Sequence, residues 1–147
     1  MREIKFRGKR LDNGEWVYGS LVSIHDTAII VEDCDFSWNP DTDITAFWFD
    51  KKENEVDPAT VGQYTGLKDK NGREIYEGDI CQYEYTSLYD GQNKRPNKPF
   101  TVAWNSQEAC FCGWDGFDYS SMPNVNRMVV IGNIHDNPEL LKFDITT

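Results

Sequence analysis

The sequence predicts an all-β protein, on three observations. Asn-Gly or Asp-Gly pairs stand at Asn13-Gly14, Asn71-Gly72, Asp90-Gly91 and Asp115-Gly116. Both residues of such a pair tolerate the positive φ that tight hairpin turns require. Between these pairs lie short runs rich in aromatic and β-branched residues, the composition of pleated, half-buried strands. No window of a dozen residues carries a sustained apolar face at i, i+3, i+4 and i+7, so no long amphipathic helix is expected.

The elements follow in order. KFRGKRL and EWVYGSLVSI flank Asn13-Gly14 and predict a hairpin. TAIIVE (27–32) and ITAFWF (44–49) predict two further strands, joined by an acidic loop that holds Asn39-Pro40. In DPATVG (57–62), Asp57 suits an N-cap, Pro58 the first helical position and Gly62 a stop, which allows one or two helical turns at most. ICQYEY (80–85), PFTVAW (99–104), EACFCGW (108–114) and RMVVIGNI (127–134) read as strands. The polar segment from Ser87 to Pro99 reads as a mobile loop. Asn137-Pro138-Glu139-Leu140-Leu141 predicts a short terminal helix with both leucines docked inward.

The most unusual stretch is GLKDKNGREIYEGDI (66–80). It reads as two strand flanks around a turn at Asp69-Lys70-Asn71-Gly72, with Leu67, Ile75 and Tyr76 able to pack. A second turn at Glu77-Gly78-Asp79 leads into an apolar strand, a common entrance to a small barrel. A phosphate loop would continue into Gly-Lys-Ser/Thr and a long helix. A calcium loop of the EF-hand type would lie between helices. Neither context is present, so no metal and no cofactor is expected here.

The chain has 147 residues, enough for one domain or one domain with a small subdomain. Five Trp, seven Tyr and eight Phe supply bulky core material. The net charge of −10 repels phosphate backbones at long range, which disfavours generic nucleic-acid binding. The charge is uneven. Arg2, Lys5, Arg7, Lys9 and Arg10 crowd the start, and residues 32–57 are rich in Asp and Glu; both read as solvated faces. The opening residues lack the apolar core of a secretory signal, and no run approaches the length of a membrane span. The expected compartment is therefore the bacterial cytoplasm, without membrane contact. There, Cys34, Cys81, Cys110 and Cys112 are expected as free thiols.

Three stretches together resemble the YopX family of bacteriophage and prophage proteins: MREIKFRG at the start, VDPATVGQYTGLKDKNGREIYEGDI (56–80) and VIGNIHDNPELL (130–141). Ala59 stands where an acidic residue is usual in the family, and His135 where Tyr is common. The resemblance implies an SH3-like small barrel over residues 63–147. It implies an additional N-terminal β-hairpin or sheet region over residues 1–62, with one or two very short helices. Gly62, Gly66, Asp69, Asn71, Gly72, Gly78 and Asp79 are then structural turn residues of the family motif. The family offers no catalytic residue to carry over.

The remaining constellations are weak as chemistry. Cys110 and Cys112 would share one face of a strand, but the spacing of a structural zinc site is missing. His25 and His135 sit at strand ends, outside any nucleophile or metalloprotease motif. Tyr83, Tyr85, Trp104, Phe111, Trp114, Phe117 and Tyr119 are expected in the core, since a stacking groove for single strands also needs a basic track. Lys94, Arg95 and Lys98 are the one basic cluster near them. The expected role is a non-enzymatic protein-interaction or regulatory module whose partner is a host or phage protein. The alternatives are a nucleic-acid-binding barrel that uses the basic N-terminal strand, or an acidic mimic that occupies a basic host protein. Open strand edges also admit a homo-oligomer.

Overall fold

The computed structural model describes residues 2–32, 55–84 and 98–141. The predicted strand at 44–49, Cys34, Tyr85, the Asp90-Gly91 pair, most of the acidic segment and most of the loop before Pro99 lie outside the described residues. Within them the chain is all-β, in two antiparallel sheets with three short 3-10 turns. It divides into two compact units, residues 1–64 and 65–147.

The first unit holds β1 (Phe6–Lys9), β2 (Trp16–Ile24), β3 (Thr27–Val31) and β4 (Glu55–Val56). β1 and β2 form the expected hairpin, with Gly8 opposite Val17 and Lys9 opposite Trp16. Its loop closes where the Gly14 amide bonds the Arg10 carbonyl at 2.9 Å. β2 returns as β3 through the two-residue turn His25-Asp26, after the last pair Ile24–Thr27. β3 pairs with β4 through Ala28–Val56. On its other side β4 meets the end of the first hairpin strand: the Leu11 amide bonds Glu55 at 3.0 Å, and the Asp57 amide bonds Lys9 at 2.8 Å. Alternation turns Val17, Ala28, Ile30 and Val56 to one core, where Phe6, Leu21 and Val61 pack against them. Burying side chains of this size contributes about 1.5–3 kcal/mol each.

Asp57 does cap the turn that follows. Its carboxylate accepts the Ala59 amide at 3.0 Å, and Pro58 opens the 3-10 turn Pro58–Thr60. Gly62, however, is not the stop. The turn closes on an extended Val61, and Gly62 is the first residue of β5 (Gly62–Lys68), paired with Arg7. Thr60 explains why the turn ends so soon. Its hydroxyl donates to the Asp57 carbonyl at 2.6 Å and accepts the Lys9 amide at 2.9 Å, which fixes the chain against β1 before a second helical turn can form.

The second unit begins within β5 and adds β6 (Glu74–Tyr76), β7 (Asp79–Tyr83), β8 (Phe100–Asn105), β9 (Cys110–Trp114), β10 (Tyr119–Ser120) and β11 (Met128–Asn133). Five of these form a sheet in the order β10-β9-β8-β7-β11. That order is open, so the described strands do not close into a barrel. Ile75, Cys81, Val102, Met128 and Val130 form its core, with Tyr83, Phe100, Met122 and Val125 packed against them. Tyr83 and Phe100 stack with ring centroids 5.6 Å apart.

A bulge between Val130 and Gly132 shifts the register of β11 against β7. It brings Gly132 against the turn that follows: an added Cβ would lie 2.6 Å from Asn137 Oδ1. Asn137 cannot simply swing away, because its side chain accepts the Asn133 amide and its own amide bonds the Asn133 carbonyl at 2.8 Å. The 3-10 turn Pro138–Leu141 then ends the described chain with both leucines half-buried. Gly132→Ala should therefore destabilise the protein by about 1–3 kcal/mol, read as a lower urea midpoint with an unchanged slope.

Candidate functional site

The family-motif residues build a structural joint. Gly66, Gly72 and Gly78 take φ of 85°, 81° and 92°, backbone that side chains avoid. Asp69 is 6% exposed, and its carboxylate accepts three backbone amides. Oδ1 accepts the Asn71 and Arg73 amides, both at 2.9 Å, and Oδ2 accepts the Val130 amide at 3.0 Å. The Lys70 amide adds a bond to the Met128 carbonyl at 2.8 Å. The turn is thus laid along the outer edge of β11. Asp79, 1% exposed, receives the Tyr76 amide at 2.7 Å, and the Gly78 amide and carbonyl bond Val102 and Ile134.

Within the second unit, the described cysteines do not gather at one point. Cys81 lies in the second unit's core, while Cys112 pairs with Ala103 on the opposite face of the sheet. Cys110 shares the Cys112 face but is exposed. Burial first, then Cys110 and Glu108, push the Cys112 thiol above its ordinary pKa. His25 is exposed in the β2–β3 turn with φ of 53°, and His135 is half-buried in the turn after β11. Among the described residues no three His, Cys, Asp or Glu side chains gather as metal ligands.

The basic start is not a solvated face. Arg7 is 3% exposed, with its guanidinium 4.6 Å from the Trp16 ring centre and Lys9 Nζ at 5.6 Å from the same ring. Lys5 Nζ lies 5.3 Å from the Tyr64 ring and 3.3 Å from Glu3. Arg10 bonds Asp12 at 2.6 Å. Cations over aromatic faces are held by the ring quadrupole and by partial desolvation. The strand therefore presents no row of open cations for a phosphate backbone.

The aromatic residues divide. Tyr83 packs on the core as expected, but Trp104, Phe117 and Tyr119 are 44%, 86% and 49% exposed. Trp104 meets Phe111 edge-on at 5.1 Å, beside the β8–β9 turn. Trp114 meets Tyr119 at 4.6 Å, where β9 passes into β10. Between these last two strands, Asp115 Oδ1 accepts the Phe117 and Asp118 amides, both at 2.8 Å. Those two bonds, from Asp118 first and Phe117 second, hold the Asp115 carboxyl below its usual pKa, with Lys98 nearby assisting. The turn is thereby fixed with the Phe117 ring in solvent. The Asp115-Gly116 pair marks a turn in the sequence, but not which way Phe117 points, because strand alternation does not extend through a turn.

Two outcomes test these assignments. Asp69→Ala removes a charged acceptor from three amides and should cost about 2–4 kcal/mol, with the larger loss of hydrogen-exchange protection at Val130. A short iodoacetamide pulse near about pH 8 should label Cys110 and spare Cys81 and Cys112, since only the exposed thiolate reacts. Because its folded pKa is raised, the Cys112 contribution to stability holds below the ordinary thiol pKa and is lost as pH rises through the raised value. Peptide mass mapping reads the labels.

Comparison with known proteins places this geometry. The crystal structure of protein EF1440 from Enterococcus faecalis is similar over 97% of this chain and 100% of that one, with a TM-score of 0.57 and 29% sequence identity. No curated protein matches the chain. The family model described as YopX protein matches residues 5–142. That span runs from the residue before β1 into the end of the chain and includes the Asp69 joint, and the chain belongs to the YopX family.

Proposed function

We propose that this YopX-family protein is a phage- or prophage-encoded, non-enzymatic interaction module that works in the bacterial cytoplasm and docks a protein partner at the β9–β10 end of its second unit. One observation carries the proposal. Phe117 is 86% exposed on a turn fixed by two hydrogen bonds from its own backbone, with the Trp114–Tyr119 pair adjoining. An aromatic side chain carried on a fixed backbone turn exposes much apolar area without ordering of that backbone on binding, the pattern of an interface anchor.

The nucleic-acid alternative finds less support, since Lys5, Arg7, Lys9 and Arg10 are engaged within the first unit. The acidic-mimic alternative rests on a segment that lies mostly outside the described residues.

Replacing Phe117 with a photo-crosslinking benzoylphenylalanine in living bacteria should give a discrete protein adduct. The same replacement at Leu11, exposed in the first unit, should not. No adduct from position 117, or the same adducts from both positions, refutes the proposal.

A further inference from the structure

We infer that the β9–β10 edge takes an extended, cationic segment of the partner, with a Lys or Arg side chain laid over the Trp114–Tyr119 pair. This rests on the docking site proposed above and adds the chemistry of what binds there.

The backbone gives the first reason. Among the described residues β10 ends its sheet; it has two residues, both exposed. The Asp115 amide reaches the Asp118 carbonyl at 3.4 Å, so those two residues occupy a bonded position of the ladder. Antiparallel pairs alternate, which makes the next pair, Trp114–Tyr119, a non-bonded one. The Tyr119 N–H and C=O then face away from β9, toward the side where an added strand would lie. Non-bonded pairs also bring side chains closest, in keeping with the 4.6 Å ring separation.

Comparison between the units gives the second. In the first unit Trp16 holds Arg7 and Lys9, and Tyr64 holds Lys5. Among the described residues no cation lies over Trp114 or Tyr119. Charge gives the third. Asp115 and Asp118 stand on either side of Phe117 with Lys98 as the opposing charge near Asp115, and the whole chain carries −10. A cationic segment is drawn to that surface at long range.

The test uses the full chain and three fluorescein-labelled hexapeptides that alternate Val with Arg, Ser or Glu, followed by polarisation. The Arg-Val peptide should bind best and weaken as salt rises. Tyr119→Ala should weaken it about tenfold, with at most a small drop in melting temperature from the lost Trp114 contact, and Asp118→Asn about two- to fivefold, with the melting temperature unchanged because that side chain is exposed. Equal binding of the three peptides, or Arg-Val binding unmoved by Tyr119→Ala, overturns the inference. If crosslinks from position 117 form while the peptides are not distinguished, only the cationic segment is wrong. If those crosslinks fail, the docking site falls and this inference with it.

Discussion

One buried carboxylate organises the second unit. Asp69 lies 61 residues from Val130 in sequence, yet accepts its amide while holding the amides of its own turn. An edge strand inside a protein leaves backbone donors without partners, and each orphan costs as much as a lost hydrogen bond or more. A carboxylate answers this better than a neutral side chain. It offers two acceptor oxygens, and its bonds to N–H groups are charge-assisted. The surrounding sequence makes sense in that light. Lys70 is turned outward to Glu84 at 2.8 Å, and Gly72 takes the positive φ that lets the chain come back under the carboxylate. The Thr65 hydroxyl, bonded to the Ile75 carbonyl at 2.8 Å, holds the two flanking strands together.

Much of the fold was legible because turns are written in few residues. Asn13-Gly14, Asn71-Gly72 and Asp115-Gly116 all sit at turns with a positive-φ glycine. The strands at 27–31, 79–83, 100–105, 110–114 and 128–133 fall where aromatic and β-branched runs put them. Strands of two residues, β4 and β10, were beyond reach, since nothing so short has a period and partners alone define it. Gly62 misled for a related reason. Glycine after a capped turn reads as a stop, but Thr60 reaches across to β1 and the chain leaves extended.

The candidate site was less legible than the fold. Composition counts a cation without saying what lies beside it, so the start of the chain read as a solvated basic face. Pairing Lys9 opposite Trp16 and Arg7 opposite Tyr18 is what brings the cations to the aromatic rings. Conversely, Phe117 read as core material because most aromatics are buried, and only the Asp115 bonds show that its turn points outward. In both cases the decisive information is the neighbour, which lies across a ladder or a turn.

The 61-residue reach of Asp69 also bears on the order of events during synthesis. The pairings of the first unit, including β1 with the opening residues of β5, are complete once residue 64 has been made. Domains generally fold as units while the nascent chain is still emerging from the ribosome. The Asp69 turn, by contrast, must wait until residue 130 is clear of the exit tunnel before its carboxylate meets its last donor. Until then that carboxylate keeps water in place of the Val130 amide. Translation speed across residues 70–130 therefore sets how soon the two ends of that bond can meet.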